Sequence, residues 1–462
     1  MRQPDSRSAL RTVVGYGLML AGTVAAFLLI RSYGNTLTAP PVYGPQSSSP
    51  STTQQPDVLL HVLLALAAVI ILGQVLARLF AYLSQPPVIG EVVAGILLGP
   101  SLLGPDVSAM ILPPAAAPLL GAVAQLGIIL YMFIIGLDLN AGLLKDRLHA
   151  TVTTSHMSIL VPFLLGSLLS LPLYTRLSSG DVPFTSFALF MGVAISITAF
   201  PVLARILTDL RMARSELGVM ALGCASINDV TAWCLLAFVS GVAKAQLGQG
   251  LWVAAGTVIY MAIIFLIVRP FLGRISSQLK TETLARETTA IFLVALLLSS
   301  LASEFIGIHA AFGAFLLGAV IPHDSAVARS FSGQLETVIT VLFLPAFFAL
   351  TGMRTRIDLV SGLDQWLICG LIIVVATAGK FGGTLLGARL SGLGWREGAA
   401  LGTLMNTRGL IELIVLNIGL EMGIISPALF AMMVLMALAT TMVTSPVLRL
   451  LIQLPRPERA AG

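Results

Sequence analysis

Asp229 is the residue most out of place in this sequence: no other charged residue occurs between Leu217 and Val242, inside an apolar run long enough to cross a bilayer. A carboxylate at mid-bilayer costs about 2.5–3.5 kcal/mol on insertion scales, so a use that offsets the cost is expected. Such a group is a two-way switch. It can be a neutral acid in an apolar site or a charged ligand for a desolvated cation, and proton and cation then compete for one carboxylate. The neighbouring Asn228 points about 100° round the helix. It offers a carbonyl oxygen and no titratable charge, although an ordinary interhelical hydrogen bond is an equal reading. With one carboxylate in the pair, one proton exchanges for one monovalent cation and the cycle is electroneutral.

Two further segments put polar and helix-disrupting residues in mid-span: Ser196-Ile197-Thr198-Ala199-Phe200-Pro201, and Met405-Asn406-Thr407-Arg408-Gly409. Backbone groups freed by a break in a membrane helix need a cavity or an ion. Two half-helix ends meeting near the midplane offer carbonyl dipoles to a cation and N–H dipoles to an anion. The plainer reading is a pair of kinked helices. Asp229, Asn228, Thr198 and Ser196 form the expected ion- and proton-binding set, with Asp229 the ligand of the monovalent cation. Pro201, Asn406, Thr407 and Gly409 mark the expected crossover of broken helices. Lys380 lies nine residues before Arg389, too deep to reach the interface with ease. It is expected to compensate charge, with Asp229 as its neighbour, and sequence leaves open whether it also titrates. Arg408 and Glu412, four residues apart, pair across one turn as a structural charge pair. Glu91 and Asp138 read as solvated rim acids, and His156 and His309 as satisfied packing histidines.

The elements that must carry these residues are membrane helices. The 462 residues are 57% hydrophobic and 10% charged, with a mean hydropathy of +0.96, more apolar surface than one soluble core hides. A net charge of +5 does not point to nucleic acid, because the basic residues sit singly in short loops. Thr12 to Ile30, preceded by Arg2, Arg7 and Arg11, is too long for a signal h-region and reads as a retained anchor within 1–34. Residues 35–57 are a Ser/Pro-rich external linker, 58–452 the membrane domain and 453–462 a cytoplasmic tail. Thirteen further spans start near residues 58, 87, 115, 151, 184, 215, 249, 285, 309, 334, 364, 395 and 426. Placing both termini in the cytoplasm of a bacterial-type inner membrane puts 19 of the 26 Lys and Arg residues inside and five outside, which sets the orientation. Cys224, Cys234 and Cys369 fall inside apolar runs, with no spacing for zinc or disulfides, and no cofactor is called for.

Ala94-Gly95-Ile96-Leu97-Leu98-Gly99 and Gly313-Ala314-Phe315-Leu316-Leu317-Gly318 lie seven spans apart, as do the two breakable segments. An offset of seven reverses direction across the membrane. The fold class expected is therefore an all-α polytopic membrane protein. Its thirteen-helix core is made of two inverted repeats with crossing discontinuous helices, and one extra helix precedes it.

Six ordered motifs then carry a resemblance: Pro87-Val88-Ile89-Gly90-Glu91 through Gly99-Pro100, Phe133-Ile134-Ile135-Gly136-Leu137-Asp138, Ser196 through Arg205, Asn228-Asp229-Val230-Thr231-Ala232-Trp233, Lys380-Phe381-Gly382 and Asn406-Thr407-Arg408-Gly409. The chain resembles the monovalent cation/proton antiporter superfamily, in the branch of Kef-type and plant cation/proton exchangers, over nearly all of residues 58–450. The resemblance implies a scaffold, a transport bundle that moves like an elevator, and a homodimer. It gives Asp229 the carrier role, places Asn228 where electrogenic relatives often have Asp, and matches Lys380 to the family's lysine. The expected function is exchange of K+ or Na+ for H+ by alternating access. A cation channel or a carrier of a larger organic solute is the alternative. The spans hold no paired catalytic aspartates and no His-Glu-x-x-His helix, so an enzyme is not expected. The extra N-terminal helix departs from the family pattern. A nucleotide-binding domain is not expected after residue 462, and nucleotide gating is not carried over.

Overall fold

Apolar runs of about 20 residues have no way to satisfy their backbone in lipid except as helices, and helices make up the structure. The computed structural model describes residues 6–37, 58–83, 85, 87–113, 115–137, 148–178, 182–210, 212, 215–244, 247–278, 286–307, 309–322 and 325–452. Asp138 lies outside them.

The first half contains α1 (Ser6–Gly34), α2 (Val58–Tyr82), α3 (Pro87–Leu98), the short α4 (Pro100–Leu103) and α5 (Pro105–Ile111), α6 (Ala117–Leu137), α7 (Leu148–Leu177), α8 (Phe184–Ser196), α9 (Phe200–Asp209) and α10 (Glu216–Lys244). The second half contains α11 (Leu247–Ile263), α12 (Arg269–Gln278), α13 (Arg286–Ile306), α14 (Ala310–Val320), α15 (Ala326–Val338), α16 (Leu344–Arg354), α17 (Gly362–Leu390), α18 (Trp395–Met405), α19 (Leu410–Glu421) and α20 (Pro427–Ile452). Single wide turns at Ile264–Val268 and Ile339–Phe343 join α11 to α12 and α15 to α16. Among the described residues, ten helical stretches are long and apolar enough to span a membrane, and α3, α8 and α14 are shorter apolar helices.

Sequence signals explain where the short helices stop. Gly99-Pro100 ends α3, and Pro322 follows α14, whose first turn is capped by His309 as its ring Nδ1 accepts the Ala311 N–H at 3.2 Å. His309 also meets Gln125 at 2.9 Å, and His156 Nδ1 meets the Val152 carbonyl at 2.8 Å. Helix starts agree with the expected ones to within three residues, with one exception. The span placed near 334 begins at Ala326, because α15 is amphipathic, carrying Arg329, Gln334 and Glu336, and hydropathy rises only after its last turn.

Close helix packing rests on small residues. A Cβ at Gly95 would strike the Ala349 carbonyl, and one at Gly136 the Phe315 carbonyl, so α3 meets α16 and α6 meets α14 backbone to backbone. Gly383 likewise seats α17 on the Met157 carbonyl of α7. The extra α1 places Phe27 5.9 Å from the Phe163 ring of α7, while Leu18, Leu20 and Leu29 stay exposed. Glu91 is half-buried, its side chain lying beside Gly73 of α2, and so is less solvated than a rim acid.

Candidate cation and proton site

The site is built where two helices fail. Helix α8 ends at Ser196, residues 197–199 are extended or irregular, and α9 starts again at Phe200 with Pro201 in its first turn, where a missing N–H costs nothing. Helix α18 ends at Met405 and α19 starts at Leu410. The two breaks satisfy each other. The Ala199 N–H donates to the Thr407 carbonyl at 3.0 Å, and the Thr198 hydroxyl donates to the Met405 carbonyl at 2.9 Å. Gly409 lets them close up, since a Cβ there would lie 2.6 Å from the Val202 side chain. Thr407 turns its own hydroxyl back to the Leu404 carbonyl at 2.6 Å.

The negative end of α8 is covered by fixed cations. Arg408 donates to the Ala194 and Ile195 carbonyls at 3.1 and 2.6 Å, and Lys380 donates to the Ser196 carbonyl at 2.5 Å. Carbonyls that a broken helix leaves open thus face positive charge from α17 and from the break between α18 and α19 rather than lipid. Ser196 itself contributes this carbonyl, its hydroxyl being turned to Val193 at 2.8 Å.

Asn228 sits at the hub of a closed network. The Lys380 ammonium can only donate, so the amide oxygen of Asn228 faces it at 3.0 Å and also meets Ser158 Oγ at 3.0 Å and Thr198 Oγ1 at 3.2 Å. The amide nitrogen then donates to Ser155 Oγ at 2.6 Å and to the Ser155 carbonyl at 3.2 Å. Lys380 adds the Ser158 carbonyl at 3.0 Å, so its three N–H bonds have three oxygen acceptors: Ser158 O, Ser196 O and Asn228 Oδ1. The side-chain acceptor of Lys380 is therefore Asn228, and Asp229 is the charge neighbour expected, without a hydrogen bond to the amine.

Asp229 differs from everything around it. It is 1% exposed, and neither carboxylate oxygen accepts a hydrogen bond from the protein. The Phe200 N–H, at the positive end of α9, is its backbone neighbour. The Asn406 side-chain oxygen is likewise buried without a donor. Among the described residues, only Asp229, Lys380, Arg408 and Glu412 are charged side chains exposed by 1% or less. Arg408 and Glu412 form the expected pair at 3.3 Å. Ser155, Ser158 and Thr441 were missed from sequence. Thr441 brackets Arg408 by taking its N–H at 2.9 Å and donating to its carbonyl at 2.8 Å. Small hydroxyl residues on α7 and α20 stand out only once the helices they face are known.

Asp229 thus combines deep burial with carboxylate oxygens that make no direct hydrogen bond, beside an amide and an amine whose own hydrogen bonds are satisfied. The family profile described as "Sodium/hydrogen exchanger, transmembrane" matches residues 62–453. The chain belongs to this sodium/hydrogen exchanger family. Among its relatives is the Na(+)/H(+) antiporter NhaS4 of Synechocystis sp., 40% identical over 396 residues, covering 84% of this chain and 97% of that protein. Cation/H(+) antiporter 20 of Arabidopsis thaliana is 38% identical over 399 residues, 82% of this chain and 47% of that one. K(+)/H(+) antiporter 1 of Saccharomyces cerevisiae is 34% identical over 385 residues, 80% of this chain and 44% of that one. This exchanger chain therefore spans about half the length of its plant and yeast relatives. The solved structure of the sodium proton antiporter MjNhaP1 from Methanocaldococcus jannaschii shares its fold. The TM-score is 0.65 at 16% identity, over 86% of this exchanger and 99% of that chain.

Proposed function

We propose that the chain is a secondary active antiporter that exchanges a monovalent cation for H+ by alternating access, with Asp229 as the shared carrier. The observation that carries this reading is the bare carboxylate of Asp229, buried to 1% and without a hydrogen bond. A proton and a desolvated cation each remove the cost of that charge, and one excludes the other. The names of the relatives, Na(+)/H(+), K(+)/H(+) and cation/H(+) antiporters, support the same exchange and leave the choice of Na+ or K+ open.

Exchange is one for one and electroneutral in this proposal, since Asn228 supplies no second carboxylate and Lys380 has every N–H engaged. Asn228, Thr198 and Ser196 act by shaping the site and holding Lys380. The architecture proposed with it counts each broken or shortened helix as one crossing. That yields thirteen in a core of two inverted repeats over residues 58–452, with α1 outside it, both termini cytoplasmic and the chain a homodimer.

The test is cation-driven proton flux in proteoliposomes. Wild-type protein should move protons against an imposed Na+ or K+ gradient, and the apparent KM for the cation should rise up to tenfold per unit fall in pH where the two compete. Asp229→Asn should abolish the flux. Proton-coupled flux surviving in that variant would end the proposal.

A further inference from the structure

Asp229 is 1% exposed, so exchange requires helices to move past one another. Glycine contacts divide the described helices into two bodies. In one, α3 is seated on α16 through Gly95 and Gly352, and α6 on α14 through Gly136 and Gly318. In the other, Gly166 seats α7 on α8, Gly383 seats α17 on α7, and Gly402 seats α18 on α17. Among the described residues no glycine brings the backbone of one body against that of the other.

Helix α19 joins the second body, since Gly419 lies against the Phe190 ring of α8. Where α16 of the first body meets α19, polar side chains take over. Arg354, the last residue of α16, donates to Glu421, the last residue of α19, at 2.8 Å and to the Asn417 side-chain oxygen at 3.1 Å. Asn417 in turn donates to Thr351 of α16 at 3.0 Å. Beside these bonds lies a cavity of about 280 Å³, walled by Ile128, Phe347 and Leu350 on one side and Ile414 and Ile418 on the other. Backbone-to-backbone packing cannot slide without leaving voids. Side-chain bridges next to a cavity can part and re-form.

We propose that Arg354 is a positioning residue for exchange, a clasp that holds α19 against α16 in one of the two states between which the site alternates. This deepens the reading of Asp229 and rests on it. Arg354 and Glu421 have side chains 37% and 60% exposed, so the pair is a weak bond open to water. Losing it changes the ratio of the two states by roughly 1.5- to 5-fold, the range of exposed ion pairs. A shift of that equilibrium tightens apparent cation affinity on one face and loosens it on the other, by factors whose product is the change in the ratio. A general folding defect lowers activity alike from both.

Two measurements in proteoliposomes of the full chain test the clasp. In the first, Arg354→Gln and Glu421→Gln should move the cation KM in opposite senses on the two faces, and the exchanged pair Arg354→Glu with Glu421→Arg should restore both. Equal losses from both faces, or no restoration, would overturn the clasp. In the second, Arg354→Cys with Glu421→Cys is joined by a short reducible bis-maleimide, with Cys224, Cys234 and Cys369 replaced by alanine. Joined protein should stop exchanging and recover on reduction. Full exchange while joined overturns the clasp and leaves Asp229 untouched, whereas wild-type protein that never couples cation to proton flux removes both.

Discussion

A clamped membrane potential tests the charge argument at the site. Among the described residues the four fully buried charges, Asp229, Glu412, Lys380 and Arg408, sum to zero when Asp229 is a bare carboxylate. Binding either H+ or a monovalent cation adds one positive charge, so the two loaded forms feel the same electrical force. The cation ratio at which net proton flux stops should therefore not move with voltage. Were a second proton carried in each cycle, one net charge would cross, worth about 2.3 kcal/mol per 100 mV, and the balancing ratio would shift about fifty-fold. Lys380 is the obvious source of such a proton. Its three N–H bonds to Ser158, Ser196 and Asn228 argue that it keeps all three. The assay is the reversal point of proton flux in proteoliposomes held at 0 and −100 mV by an ionophore that is not itself a substrate. The rate of turnover is free to respond to voltage, because both legs move the same charge; the reversal point is not. A shift approaching fifty-fold would refute the one-for-one assignment and place a titrating proton on Lys380.

Lys380→Gln should destabilise the protein by about 1–3 kcal/mol for each buried acceptor left without a donor, read as earlier thermal unfolding in detergent, with Lys380→Arg recovering part of the loss. Gly136→Ala should cost about 1–3 kcal/mol by driving a methyl into the Phe315 carbonyl. Gly370→Ala, also inside a helix but with open space around it, should be neutral or stabilising by up to about 1 kcal/mol, so equal melting of the two variants would discount backbone packing as the cause.

What the sequence made legible was the set of residues that cannot sit comfortably in lipid. Asp229, Lys380, Arg408 and Glu412 are all conspicuous against 57% hydrophobic composition, and all are buried. The Arg408–Glu412 contact followed from a spacing of four residues, although Arg408 lies in the break just before α19. The Lys380–Asn228 hydrogen bond did not, because it depends on how α17 is seated against α7, and that seat is set by Gly379, Gly383 and Gly387, which look like any membrane glycines in one dimension. Ser155 and Ser158 were hidden for the same reason. Hydropathy also misplaced the start of α15, since an amphipathic helix that continues into an apolar one through a wide turn carries two signals in one rod.

The mutual repair of the two helix breaks has a consequence for biosynthesis. Thr198 and Met405 lie 207 residues apart, and at about 5–20 residues per second a ribosome needs about 10–40 s to make the stretch between them. Through that interval the Ala199 N–H and the end of α8 have been synthesised, while Lys380 is made only near its close and the Thr407 carbonyl and Arg408 after it. A nascent chain arrested after α10 should therefore hold water, or a chaperone or translocase group, at residues 196–199. Inserting the second half would expel that occupant as the last step of maturation.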